Sequence, residues 1–237
     1  MVERKKALLG EIISEFIKTA HPVSSHKIAE RGNFDLSSAT IRNEMMDLEK
    51  EGYIYQSHPS AGRAPTEKGY QFYIKNFIEE KKLAAKKCQR LSETVNKFRD
   101  PNEEMMKNLA KVLAELSEEA VFVGFSQNNV YYTGLTNVFR QPEFIEPDLI
   151  YHMAEIVDHL DEVITKIFSE IDENIKVMVG KNNPFGEHCS AILTRYQFGS
   201  KEPGMVGIIG PMRMFYEDNI ALLRETKSLI SKADKLL

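Results

Sequence analysis

Residues 58–66, His58-Pro59-Ser60-Ala61-Gly62-Arg63-Ala64-Pro65-Thr66, cannot be helix and cannot be a central strand. Two prolines in nine residues remove backbone donors that either ladder needs. The stretch has to be a stiff, turn-rich loop, and the chain before it narrows what that loop can belong to. Leu8, Leu9, Ile12, Ile13, Phe16 and Ile17 recur at helical spacing until His21-Pro22 ends the run. A short second helix follows, with Ser24 or Ser25 as N-cap, Ile28 and Ala29 as its apolar face and Gly32-Asn33 as its close. Leu36-Ser37-Ser38 opens a third helix, in which Ile41, Met45 and Leu48 face inward and Gly52 supplies the C-cap. Tyr53-Ile54-Tyr55-Gln56 reads as a strand entering the loop. Thr66 caps a fourth helix with Tyr70, Tyr73 and Phe77 on one face.

Three helices, a strand and a Gly/Pro loop are the order of a winged helix-turn-helix, here over residues 1–78. In that arrangement the third helix enters the major groove of DNA, which is wide enough to admit it. Its outward positions are Ser38, Thr40, Arg42, Asn43 and Asp47, opposite the buried stripe. Arg pairs bidentately with guanine and Asn with adenine, while Ser and Thr contact phosphates or bases. Ser37 and Ser38 stand at a helix start, where free N–H groups receive a phosphate. In the loop, Arg63 is expected at the tip between the prolines, a position suited to a narrow minor groove, with His58 and Ser60 beside it. The plainer reading makes Arg42 and Asn43 the solvated face of a surface helix, and Arg63 an incidental charge on a rigid turn.

Charge is distributed unevenly along the 237 residues, whose formal total is −4. Residues 1–78 carry 11 Lys+Arg against 10 Asp+Glu, residues 79–99 carry 7 against 3, and residues 100–237 carry 13 against 22. A polyanion should therefore meet the front of the chain. Within the basic stretch, Ala84, Cys88, Leu91, Val95 and Phe98 form a short heptad seam that Asp100-Pro101-Asn102 breaks. Residues 79–101 are expected to be a helical linker that packs on a domain or pairs with a second copy. Residues 102–237 read as an α+β domain. The expected order is a helix through Leu109, Val112, Leu113 and Leu116, a strand at Ala120–Phe125, and a turn at Gln127-Asn128-Asn129 into a strand at Val130–Thr133. A helix capped by Pro147-Asp148 carries Leu149, Met153, Ile156 and Leu160, and a shorter one spans Val163–Phe168. Strands at Ile175–Val179, Cys189–Tyr196 and Met205–Ile209 precede a last helix from Glu217 to Leu236. Helices against a mostly antiparallel five-stranded sheet are the expected architecture.

Several segments resemble HrcA, the heat-inducible transcription repressor family of bacteria. They are Ser38-Ala39-Thr40-Ile41-Arg42-Asn43-Glu44-Met45 with Leu48-Glu49, and the loop His58–Thr66 continuing through Glu67-Lys68-Gly69-Tyr70. Pro22-Val23-Ser24-Ser25, Gly134-Leu135-Thr136-Asn137-Val138 with Pro142-Glu143-Phe144, and Gly207-Ile208-Ile209-Gly210-Pro211-Met212-Arg213-Met214 with Tyr216 agree as well. The resemblance implies a dimeric repressor of chaperone operons that binds an inverted-repeat operator in double-stranded DNA and is released on heat stress. It implies a GAF-like second domain and the chaperonin GroEL as a partner. The groove-reading role falls on Ser38, Thr40, Arg42 and Asn43, and the wing role on His58, Ser60 and Arg63. Typical members carry an inserted dimerising domain for which this chain has no room between its first two long strands. The dimer is then left to the basic heptad helix, to the sheet, or to both.

Other signals point to no further chemistry. No cofactor, metal or enzyme activity is expected, because the histidines, among them His152 and His159, form no ligand-spaced set and Cys189 has no paired base. Gly180 and Gly186 flank Asn182-Asn183-Pro184-Phe185, which could approach a phosphate but reads more plainly as an ordinary loop. Arg213, after a Gly-Pro turn, could pair with a buried acid, bind a small anion or face the DNA-binding domain, and a structural pairing is the favoured reading. With two separated cysteines, Cys88 and Cys189, no signal-peptide pattern and no apolar run of about 20 residues, a cytoplasmic, non-membrane setting is expected. An alternative reading keeps the winged helix but places its control in a small molecule bound by the second domain.

Overall fold

The structure, a computed structural model, describes residues 2–126, 129–145, 147–168, 170–198 and 203–234, without the side chains of residues 145, 147, 148, 152, 153 and 182. Gln127 and Asn128 of the expected turn, the Pro147-Asp148 cap, the side chains of His152 and Met153, and Leu236 lie outside the described residues. The chain divides into two units, Met1–Glu79 and Glu80–Leu237.

In the first unit, α1 (Glu3–Thr19) ends where Ala20 turns left-handed at φ 56°, its N–H bonding the Phe16 carbonyl at 2.8 Å. Pro22 then forbids any continuation. The second helix, α2 (Ser25–Glu30), is capped by Ser24, whose hydroxyl accepts from the Lys27 N–H. The third, α3 (Ser38–Lys50), is capped in the same way by Ser37, which accepts from the Thr40 N–H. Two short strands, β1 (Ile54–Tyr55) and β2 (Ala64–Pro65), pair antiparallel, and α4 (Glu67–Phe77) follows under a Thr66 cap. Each of these caps satisfies an otherwise orphaned helix donor and contributes roughly 1 kcal/mol.

The expected helical stripes meet in the middle of this unit. Leu8, Leu9, Ile12, Ile13, Ile28, Ile41, Met45 and Leu48 are all fully buried, and Tyr70 of α4 joins them. Truncating any one of these aliphatic chains to Ala costs about 2–5 kcal/mol. A buried carboxylate ties α1 to α2: Glu15, 3% exposed at its side chain, accepts from Lys27 at 2.5 Å and also from Arg31.

The second unit begins with α5 (Ala85–Val95), which packs on α6 (Glu103–Ser117) and on α10 (Tyr216–Asp234). Its seam is used inside the chain, since Leu91 and Val95 are buried. Of the two expected uses of the seam, the structure shows packing on a domain, and the helix is shorter than residues 79–99, beginning only at Ala85. Five strands make one sheet, ordered β4 (Asn129–Thr133), β3 (Ala120–Ser126), β7 (Gly204–Pro211), β6 (Cys189–Tyr196) and β5 (Lys176–Val179), with every neighbouring pair antiparallel. On one face, Phe122, Ala191, Leu193 and Met205 pack with Leu160, Ile164 and Ile167 of α9 (Leu160–Phe168). On the other side α6 packs on β3 and α10 on β6 and β7. Because the sheet is covered twice, successive residues of the inner strands β3, β7 and β6 are nearly all buried, while the edge strands β4 and β5 stay partly exposed. Two further helices, α7 (Leu135–Phe139) and α8 (Pro147–Asp158), lie between β4 and α9 in the chain. At five residues, α7 is too short for a helical period to be read from sequence.

Arg213 makes a structural pairing, the favoured of its expected roles, although the acid it meets, Glu143, is half-buried. Its Nε lies 2.5 Å from Glu143 Oε1 and its Nη2 lies 3.2 Å from Glu143 Oε2, with Gln141 Oε1 at 2.7 Å. The segments around Pro142-Glu143 and Gly210-Pro211 are thereby held together by a bidentate pair. Glu119, 4% exposed, sits in the field of that pair. Burial pushes its carboxyl well above the ordinary range, against the pull of Arg213 and with the help of Glu143.

Candidate nucleic-acid interface

The outward face of α3 is built by the same periodicity that buries its inner face. With Ile41, Met45 and Leu48 at zero exposure, Arg42, Asn43, Met46 and Asp47 are turned to solvent. At the N-terminus the hydroxyls are already engaged. Ser37 Oγ lies 2.9 Å from Thr40 Oγ1 and takes the Thr40 N–H at 3.1 Å. Ser38 Oγ lies 3.1 Å from Ser25 Oγ, a buried residue of α2. Ser38 and Thr40 are half-buried and Ser37, Arg42 and Asn43 are exposed. The structure therefore leaves Arg42 and Asn43 exposed, without a side-chain hydrogen bond or ion pair among the described residues, and uses Ser38 to dock α2 against α3.

The loop between β1 and β2 departs from expectation at its most conspicuous residue. Arg63 is 8% exposed and does not stand at the tip. Two observations explain it. The Arg63 backbone exchanges both hydrogen bonds with Val23, N–H to carbonyl at 2.8 Å each way. Its side chain then reaches α3, with Nη2 3.2 Å from Glu49 Oε2. Gly62 makes the close approach possible, because a Cβ there would lie 2.6 Å from the Pro22 carbonyl carbon and oxygen. The exposed end of the loop is instead His58, Pro59 and Ser60. Gln56 braces it from within, its Nε2 donating to the Pro59 carbonyl at 3.0 Å and to the Ala61 carbonyl at 2.7 Å. The bracing by Gln56 and the pairing of Glu49 with Arg63 were not legible in the sequence, since both act through chain folded back on itself.

Electrostatics favour the same face. The acids of this unit are largely paired: Glu11 and Glu15 with Arg31, Glu44 with Arg4, Asp47 and Glu51 with Lys5, and Glu49 with Arg63. Among the described residues Arg42 has no such partner. A unit with nearly balanced formal charge thus leaves an unpaired cation on its exposed helix.

Comparison with known proteins agrees with the residue patterns. The family model for the HrcA protein C terminal domain matches residues 70–220, well over half of the chain. The chain belongs to the HrcA family. A heat-inducible transcription repressor HrcA of Clostridium tetani is 25% identical over 341 aligned positions, covering 100% of this chain and 96% of that protein. One from Natranaerobius thermophilus is 27% identical over 331 positions, covering 97% of this chain and 96% of the other. An alignment of 341 positions against 237 residues means that roughly a hundred positions of the relative have no counterpart in this HrcA-family chain. The crystal structure of a hypothetical protein, 20% identical, superposes with a TM-score of 0.76 and covers 100% of this chain and 98% of its own, which establishes a shared fold. Among the described residues of this HrcA-family chain, no helix is long and apolar enough to cross a membrane.

Proposed function

We propose that the chain is a DNA-binding transcriptional repressor of chaperone genes, with residues 1–78 acting as a winged helix-turn-helix and residues 102–237 as a GAF-like regulatory domain. The observation that carries the reading is the pair Arg42 and Asn43, exposed side by side on α3, a helix whose opposite face is wholly buried. In the major groove, Arg42 is placed to read guanine and Asn43 adenine. Ser37 and Thr40, at the helix start, face the phosphate backbone. Ser38 positions the helix through Ser25. The hairpin 54–65 is the wing, with His58 and Ser60 toward DNA. Arg63 fixes the wing to α3 through Glu49 and to the α1–α2 turn through Val23, a role in place of direct minor-groove contact.

Relatives named heat-inducible transcription repressors support the regulatory role. A dimer on an inverted repeat gives each half-site one recognition helix, and release on heat, with GroEL as the partner, follows the family. The positions without a counterpart and the buried α5 seam leave the dimer to other surfaces of the chain, the sheet of the second unit among them. A gel-shift titration tests the reading. The full chain should bind an inverted repeat from upstream of its host's chaperone genes at least a hundredfold more tightly than the scrambled duplex. Equal affinity for the two contradicts it.

A further inference from the structure

One side chain on the outward face of α3 is not accounted for by hydrogen-bonding chemistry. Met46 is 43% exposed, on a helix whose other large apolar side chains, Ile41, Met45 and Leu48, are fully buried. Its place on that face is specific. Met46 follows Asn43 by three residues and Arg42 by four, and positions three and four apart are neighbours on a helix surface. At about 3.6 residues per turn, three steps fall short of a full turn and four overshoot it, so Met46 lies between the two. Ala39, also exposed, stands on nearly the same line two turns earlier. An apolar line thus runs along the centre of the exposed face, with Arg42 on one flank and Asn43 on the other.

A helix seated in the major groove with Arg42 and Asn43 on base edges brings Met46 onto the groove floor as well. That floor is mostly a row of hydrogen-bond donors and acceptors, and a thioether is only a weak acceptor for them. Thymine alone presents an apolar group there, its 5-methyl. The unbranched, polarizable Met side chain is suited to close around such a methyl. Removing one methyl from water is worth about fourfold in affinity.

We propose that Met46 determines sequence preference by packing on the 5-methyl group of a thymine that lies between the bases addressed by Arg42 and Asn43. The assignment rests on the DNA-binding reading, and its test keeps the two apart. The probe is the inverted repeat from upstream of the host's chaperone genes, titrated with the full chain. Each thymine of the half-site is replaced in turn by deoxyuridine, which removes the methyl and keeps the base pair. One thymine should stand out, with affinity falling about fourfold for each half-site changed. Met46→Ala should weaken binding to the unmodified duplex by a similar factor and make deoxyuridine at that position neutral, whereas Met46→Leu should keep the sensitivity. Both variants alter an exposed side chain, so their melting temperatures should match the parent's. Deoxyuridine tolerated at every thymine, or a loss at one thymine that persists undiminished in Met46→Ala, overturns the assignment while DNA binding stands. Absence of binding to the unmodified duplex contradicts the DNA-binding reading itself, and the assignment with it.

Discussion

Arg63 Nη2 lies 3.2 Å from Glu49 Oε2, and this pair joins the hairpin 54–65 to the exposed helix α3 across fourteen residues of chain. With Arg63 only 8% exposed, the pair is shielded from solvent on the hairpin side. Removing either partner strands the other, at a cost of about 1–3 kcal/mol. Arg63→Ala and Glu49→Gln should therefore lower the melting temperature, and a double-mutant cycle should return a coupling of the same order. The two variants also separate anchoring from direct DNA contact. An anchor makes both weaken DNA binding, whereas an Arg63 freed to reach phosphate makes Glu49→Gln bind more tightly.

Arg42 has the opposite profile, exposed and unpaired. Arg42→Ala should leave thermal stability within about 0.5 kcal/mol of the parent and weaken binding to the preferred duplex by about 1–3 kcal/mol. Titration of single-base variants of that duplex should show relaxed preference at one position. A uniform loss across all sequences would assign Arg42 to phosphate instead.

How much of this was legible in the sequence depends on how local each feature is. The stripe Ile41, Met45, Leu48, the Thr66 cap and the α2 cap, narrowed to Ser24 or Ser25, are set by neighbours within four residues, and they were readable. The strand 120–126 and the strand 189–196 were readable because buried β runs are apolar throughout. Arg63 was not, because its burial depends on Val23 forty residues earlier and on a missing Cβ at Gly62. The heptad seam at Leu91 and Val95 was readable as a stripe but left two partners open, because spacing identifies an apolar stripe and does not say what covers it.

Arg213 and Glu143 form a bidentate pair whose side chains are 10% and 29% exposed. Arg213→Ala leaves Glu143 without its partner and should destabilise the second unit by about 1–3 kcal/mol, with Arg213→Lys recovering only part because a point charge cannot supply the fork. Differential scanning calorimetry of the three proteins provides the comparison.

Glu119 makes stability depend on pH. Its folded carboxyl titrates well above the ordinary range, chiefly through burial. The folded state therefore holds a proton that the unfolded chain releases. Its contribution is fully present below the ordinary carboxylate pKa and is lost as pH rises toward the folded value, with a slope of about 1.4 kcal/mol per pH unit in that window. Glu119→Gln, measured by denaturant unfolding at several pH values, should flatten that slope. An unchanged profile would assign the pH dependence elsewhere.

Glu118 closes α6 in the left-handed region at φ 59°, which costs a non-glycine residue about 1 kcal/mol. Its carboxylate also stands at the unfavourable end of the helix dipole. Glu118→Gly should raise stability by about 0.5–1 kcal/mol, read as an increase in melting temperature.

The most direct measurement is selection of duplexes from a random pool by the full chain, followed by affinity titration of the enriched sequence over a range of salt concentrations. The expected result is an enriched inverted repeat whose affinity falls steeply as salt rises and whose enrichment disappears with Arg42→Ala. No enriched sequence, or an enriched sequence without two-fold symmetry that Arg42→Ala still selects, contradicts a dimeric repressor reading DNA through α3.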